Sequence, residues 1–242
     1  MGVLLRLEEV SKSFGALKVV DGLSVSLEAG EALGVLGPNG AGKSTVFNLI
    51  AGHLAPDAGR IVYDGRDITT RPAAERCRLG IGRSFQIPHP FTGMTVFENL
   101  LVGAVFGGGL TERAAAAECH AILERTGLAS KANRLAGSLT LLDRKRLELA
   151  RAMSTRPRLL LLDEIAGGLT DDEALLLTGT INDLRREGVS IIWIEHVVRA
   201  LLRVVDRLVV INLGALLREG EPQAVMASRE VRDVYMGMDA SV

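Results

Sequence analysis

The chain has 242 residues, 48% hydrophobic and 24% charged, with a formal net charge of −1. Such a composition suits one large globular domain, or a core carrying an inserted subdomain. It offers no basic field for nucleic acid, and no stretch approaches the ~20 uninterrupted apolar residues that cross a bilayer.

The opening, MGVLLRLEEV, is too short and too soon acidic for a signal peptide. Residues 4–10 (LLRLEEV) and 19–27 (VVDGLSVSL) alternate or run apolar, as short strands do. Residues 31–37 (EALGVLG) read as a buried strand feeding a glycine-rich turn and a helix, STVFNLIAG, closed by Gly52. Residues 60–68 (RIVYDGRDI) read as a hairpin turning at Asp-Gly. Cys77 and Cys119 lack metal-ligand spacing and read as free thiols in a reducing compartment.

From about 89 to 156 helical patterns replace strands, both in the opening stretch and in TERAAAAECHAILERTGL. Apolar strands resume at 158–163 (RLLLLD) and 189–195 (VSIIWIE), each of the kind buried on both faces. Residues 206–220 (DRLVVINLGALLREG) read as a terminal hairpin turning at Asn212-Leu213-Gly214. The expected architecture is α/β, with a core over 1–88 and 157–242 and a helical insertion over 89–156.

GPNGAGKST (37–45) is the strongest local signal, because it fits the P-loop spacing between an expected strand and helix. Gly40 and Gly42 let backbone amides turn toward phosphate oxygens, and the helix N-terminus adds a positive dipole end. In this template Lys43 reaches the β- and γ-phosphates, and the Ser44 hydroxyl reaches Mg²⁺. LLLLDE (159–164) supplies Asp163 to orient the metal shell and Glu164 to act on water as general base. Such an acidic pair is on its own an ordinary strand end; the P-loop gives it meaning. His196 follows strand 189–195 at the edge where open α/β sheets bind ligands. Gln86, in RSFQ, stands where the core meets the helical insertion.

Together these residues resemble the ATP-binding subunits of ABC transporters, over nearly the whole chain. The resemblance implies a P-loop NTPase core of RecA-like mixed sheet, an antiparallel β subdomain and an inserted helical subdomain, forming one cassette over 1–242. It makes GPNGAGKST the Walker A motif, with Asn39 and Thr45 also at the nucleotide, and LLLLDE the Walker B motif. Gln86 becomes the Q-loop glutamine, a metal ligand beside Ser44 and Asp163, and His196 becomes the switch histidine. Phe14 falls at the aromatic position that stacks on adenine, although a core phenylalanine is the competing reading. FQIPHPFTGMTVFENLLVG (85–103) and REGEP (218–222) look most like the branched-chain amino-acid group.

The resemblance further implies ATP hydrolysis with Mg²⁺, pairing with a second such subunit and docking beneath membrane permease subunits. A periplasmic binding protein would deliver cargo to an assembly peripheral on the cytoplasmic face of the inner membrane. Other cargo (urea, aromatic acids, lipopolysaccharide export), a non-hydrolysing regulatory partner and a non-transport ABC ATPase are the alternatives. No nucleic-acid partner is expected.

Two elements depart from the family pattern. The signature, Leu-Ser-Gly-Gly-Gln in consensus, aligns with Leu139, Thr140, Leu141, Leu142 and Asp143. After Asp163-Glu164 the usual proline is Ile165, and the D-loop reads Gly167, Gly168, Leu169, Thr170. Thr140 and Asp143 keep the form of a capping box, so a helix should still start there and offer the Thr140 hydroxyl to the nucleotide of the opposing subunit. The charge of Asp143 is expected to be offset by Arg144, Lys145 and Arg146. Either Leu141 and Leu142 turn away from that nucleotide, as the retained cap favours, or the composite site is degenerate.

Overall fold

The computed structural model describes residues 2–239. Strands β1 (Val3–Phe14) and β2 (Leu17–Glu28) form an antiparallel hairpin, longer than the apolar runs alone suggest. β3 (Ala32–Leu36) follows, buried along its whole length, and leads through the glycine-rich loop into α1 (Lys43–Ala51). β4 (Ala58–Tyr63) and β5 (Arg66–Asp67) complete a four-stranded sheet in the order β2-β1-β4-β5. Their connection is the expected Asp64-Gly65 turn, with both residues at positive φ as a two-residue hairpin of this hand requires.

A short helix α2 (Ala73–Arg78) precedes β6 (Ile81–Arg83). Arg76 of α2 is 1% exposed, and among the described residues no carboxylate lies within ion-pair distance of it. Its guanidinium donates to the carbonyls of Leu49 and Ile50 at the end of α1, and to those of Thr69 and Arg71. A buried cation thus closes the helix C-terminus, where orphan carbonyls and the negative dipole end favour positive charge. Burial lowers its pKa to about 10.

The insertion contains α3 (Val96–Val102), a π-helical turn over Gly103–Gly107, α4 (Glu112–Arg125) and α5 (Leu141–Ser154). They pack on one another through Val96, Leu100, Cys119, Leu123 and Leu147. The stretch 89–95, expected as helix, is irregular, because Pro90 and Gly93 interrupt any helical run. The buried Asn99 side chain pins it by accepting from the Phe91 amide and donating to the Phe91 and Thr95 carbonyls. Thr95 and Glu98 form a complete capping box that starts α3.

β7 (Leu159–Asp163), α6 (Asp171–Arg186), β8 (Ser190–Ile194) and the short α7 (Val198–Leu201) return the chain to the core. β9 (Arg207–Asn212) and β10 (Ala215–Gly220) form the terminal hairpin, followed by α8 (Pro222–Ala227) and α9 (Arg229–Asp239). The second sheet runs β10-β9-β3-β8-β7-β6, parallel except for the β9–β10 pair. Alternation along β8 divides the core: Ile191 and Trp193 face the α5 and α6 side, Ile192 and Ile194 face α1 and the first sheet. Burial on both faces explains why these strands read as unbroken apolar runs. Their carboxyl ends, at Leu36, Asp163 and Ile194, come together at one edge.

Candidate active site

At that edge lies a cavity of about 490 Å³. One wall is the β3–α1 loop, contributing Asn39, Gly40, Gly42, Lys43, Ser44 and Thr45; facing it stand Gln86, Glu164 and His196. Residues as distant in the chain as Asn39 and His196 therefore line one cavity. Phe14, Thr140 and Asp163 are not among the residues that line this cavity. Phe14 ends β1 with its ring 49% exposed, which rules out the core reading.

The loop holds its shape because of glycine. Gly42 sits at φ 98°, and a Cβ there would approach the Val19 carbonyl oxygen of β2 to 2.5 Å. α1 starts at Gly42 with no side-chain cap and no acidic residue in its first turn. Its first amides and the dipole end are left for an anion. The Lys43 ammonium, 6% exposed, donates to the carbonyls of Gly37 at 2.7 Å and Pro38 at 2.9 Å. Burial lowers its pKa, while the Glu164 and Asp163 charges oppose that shift.

Asp163 lies beneath the cavity, 4% exposed. Burial raises its pKa against the pull of Arg83, whose Nη2 is 3.2 Å from Oδ2. Its other oxygen, Oδ1, is buried without a hydrogen-bond partner among the described residues, an arrangement that costs free energy unless a further group engages it. Arg83 also donates to Asn48 of α1 at 2.6 Å, tying β6 to the helix that carries the phosphate loop.

Glu164 is held on every side. Its φ of 46° is a left-handed conformation, which costs a non-glycine residue about 1–3 kcal/mol and persists only when its surroundings fix it. Its amide donates to the Ile194 carbonyl at 2.8 Å. Oε1 is 2.7 Å from His196 Nε2, and Oε2 accepts from Gln86 Nε2 at 2.5 Å. Both carboxylate oxygens are thus oriented by His196 and Gln86, contacts that the sequence did not foretell.

Two buried ionic groups behind the site were not singled out in the sequence. Glu195, 1% exposed, accepts from the amides of His196, Val197 and Ala166, so one carboxylate fixes the loops after both β7 and β8. Lys145, 4% exposed, donates to the carbonyls of Gln86 at 2.8 Å and Glu164 at 3.0 Å. The available signal was an acidic residue ending an apolar strand and a lysine on the inward face of an amphipathic helix.

The structure corrects the expected charge balance at the signature. Asp143 is 2% exposed and pairs with Lys131 at 2.5 Å and more distantly with Arg146. Arg144 instead donates to the Gly137 carbonyl, and Lys145 points to the active-site loops. The capping box is half formed: the Thr140 hydroxyl accepts from the Asp143 amide, but the Asp143 carboxylate binds that hydroxyl rather than the Thr140 amide. Leu141 is 49% exposed, with Cδ2 3.4 Å from where a Cβ on Gly168 would stand. Thr170 caps α6 in a complete box with Glu173.

The family model described as ABC transporter matches residues 20–167. Among curated proteins, the chain is 38% identical to the high-affinity branched-chain amino acid transport ATP-binding protein BraF of Pseudomonas aeruginosa, covering 97% of this chain and 98% of that one. It is 33% identical to the lipopolysaccharide export system ATP-binding protein LptB of Haemophilus influenzae, covering 97% of each. Among solved structures, the ADP conformation of an ATP-binding cassette of an ABC transporter superposes with a TM-score of 0.90 at 33% identity, over 98% of this chain and all of that one. With its P-loop, Walker B strand and opposing histidine gathered at one sheet edge, this chain belongs to the ABC transporter family.

Proposed function

We propose that the chain is the ATP-hydrolysing subunit of an importer for branched-chain or related amino acids. The carrying observation is Glu164, poised across the cavity from the phosphate loop with both oxygens oriented by His196 and Gln86. The loop amides and Lys43 bind the phosphates of ATP, and Glu164 accepts a proton from the attacking water. His196 holds the carboxylate and reaches the terminal phosphate, while Asn39 and Thr45 border the phosphates. Phe14, exposed at the end of β1, offers a face for the adenine ring.

The residues fit Mg²⁺. Among the described residues Asp163 Oδ1 is a buried acceptor without a partner, and Ser44 and Gln86 line the cavity beside it. The described residues include no cluster of three acidic, histidine or cysteine groups, which suits an ion held largely by phosphate oxygens and water. Such an ion neutralises charge on the β- and γ-phosphates.

Thr140 lies outside this chain's own cavity, which supports service to the nucleotide of a second ATPase subunit. We read the chain as a core over 1–88 and 157–242 carrying a helical subdomain over 89–156. Among the described residues no helix is long and apolar enough to cross a membrane, so cargo must pass through other subunits. A groove of about 360 Å³ between the two parts, lined by His53, Phe85, Phe91, Asn99 and Arg151, suits docking of permease subunits. The chain would then act on the cytoplasmic face of the inner membrane, with a periplasmic binding protein delivering cargo. The higher identity to the amino-acid relative than to the lipopolysaccharide relative supports the cargo class.

Deleting the gene tests this reading. Uptake of labelled leucine, isoleucine and valine should fall, and return with the wild-type gene but not with Glu164→Gln. Undiminished uptake of all three would reject the cargo class, and MgATP hydrolysis by the assembled wild-type complex that Glu164→Gln leaves intact would reject the site.

A further inference from the structure

Lys145 occupies the second turn of α5, the helix that begins at the signature cap Thr140. Its ammonium donates to two backbone carbonyls on loops from different strands, those of Gln86 and Glu164. The side chains of these same residues meet at 2.5 Å. The contacts close a ring: Lys145 to the Glu164 carbonyl, through its carboxylate to Gln86, and through the Gln86 carbonyl back to Lys145. Hydrogen bonds now flank the Glu164 backbone: its amide donates to Ile194, and its carbonyl accepts from the Lys145 ammonium at 3.0 Å and from the Gly167 amide at 3.3 Å. Those contacts fix both peptide units around its left-handed φ.

Leu141 lies one turn before Lys145, at the i,i+4 spacing that puts both on one helix face. Leu141 points toward Gly168, where a Cβ on the glycine would stand 3.4 Å from Leu141 Cδ2, and Lys145 on the same face is hydrogen-bonded to the segment after β7. The start of α5 and the carbonyl of Glu164 are therefore joined through Lys145. We infer that Lys145 is a positioning residue for Glu164, linking the signature end of α5, which serves the neighbouring subunit's nucleotide, to this subunit's own hydrolytic carboxylate. The inference rests on the hydrolytic reading above.

The test uses the full chain assembled with its transport partners, with Lys145→Met and Lys145→Arg made in the wild-type and Glu164→Gln backgrounds. Lys145→Met should lower kcat for MgATP by about tenfold or more, while ATP affinity changes by no more than about twofold, as expected when ground-state binding is spared. Lys145→Arg, which keeps buried donors, should restore most of kcat. In the Glu164→Gln background Lys145→Met should cause no further loss, because residues acting as a unit are non-additive. A loss that multiplies in the double variant, or affinity falling in step with kcat, overturns the inference and leaves Lys145 a structural brace. Unchanged kcat in Lys145→Met overturns it as well. If Lys145→Met does not fold, Lys145→Gln carries the same comparison. The large loss of hydrolysis in Glu164→Gln alone, with a measurable residual rate, is the control: its absence removes the hydrolytic reading itself, and this inference with it.

Discussion

His196 Nε2 stands 2.7 Å from Glu164 Oε1, a contact between residues that end adjacent parallel strands. It places an imidazole and a carboxylate together at the mouth of the phosphate cavity. Gln86 hydrogen-bonds Glu164 from the other side, so both oxygens of a carboxylate lining that cavity are engaged.

Removing that base should separate chemistry from binding. Glu164→Gln is expected to lower steady-state hydrolysis by roughly 10²–10⁴-fold, the contribution typical of a positioned general base. ATP binding should persist, and an ATP-bound dimer should accumulate on size exclusion. Hydrolysis at the wild-type rate would show that another group takes the proton.

Lys43 is expected to trade stability for function. Its folded pKa is lowered by burial, so at pH values between that lowered pKa and its ordinary one the unfolded chain binds more protons. Stability then rises with pH across that alkaline window. Below it, the buried ammonium weighs against folding. Lys43→Met should therefore unfold at higher urea than wild type at neutral pH without nucleotide, with the gap narrowing as pH rises into that window. The same variant should bind ATP about 10–100-fold more weakly, the loss of a charged hydrogen bond of about 1.5–3 kcal/mol. A variant less stable than wild type at neutral pH would contradict the stability half, and unchanged ATP affinity the binding half.

Thr140 caps α5 and engages Asp143 through the same hydroxyl. Thr140→Ala should destabilise the chain by about 0.5–2 kcal/mol, as loss of an N-cap does. ATPase activity of the assembled transporter should fall, while ATP affinity of the isolated chain stays unchanged. Equal turnover in the assembled complex would remove Thr140 from the composite site.

Arg76 makes its contribution away from the chemistry. Arg76→Ala leaves the Leu49 and Ile50 carbonyls without their buried donor. The expected loss is about 3 kcal/mol, from unsatisfied buried groups and lost packing. Because α1 carries the phosphate loop, ATP affinity should fall with it. Chemical denaturation and nucleotide titration of the same preparation check both, and a loss under about 0.5 kcal/mol, the range of an ordinary surface substitution, would refute the capping role.

The alternation of apolar and polar residues, the glycine spacing of 37–45 and the two acidic residues after LLLL were enough to locate the phosphate loop, the strand ending at Asp163 and the longer strands, but not the short β6 (Ile81–Arg83). These signals are local: side-chain period, backbone φ and strand ends are all set within a few residues. The helix expected over 89–95 failed for an equally local reason, since Pro90 and Gly93 outweigh the pattern downstream.

Tertiary structure alone decided which charges compensate which. Asp143 had three cationic neighbours directly after it in sequence, yet its closest partner is Lys131, twelve residues earlier. Helical geometry explains this: Arg144 and Lys145 leave the helix in directions different from Asp143, and only Arg146, at i+3, shares its side. Lys145, expected from the sequence to help offset Asp143, is turned inward to loops 59 and 19 residues away. A buried ammonium is tolerable only where carbonyls receive it, and whether they do depends on the packing of α5 against the sheet. The sequence by itself determined that this chain has a phosphate loop, a Walker B strand and an altered signature. Packing decided that the altered signature helix still reaches back to the Glu164 backbone.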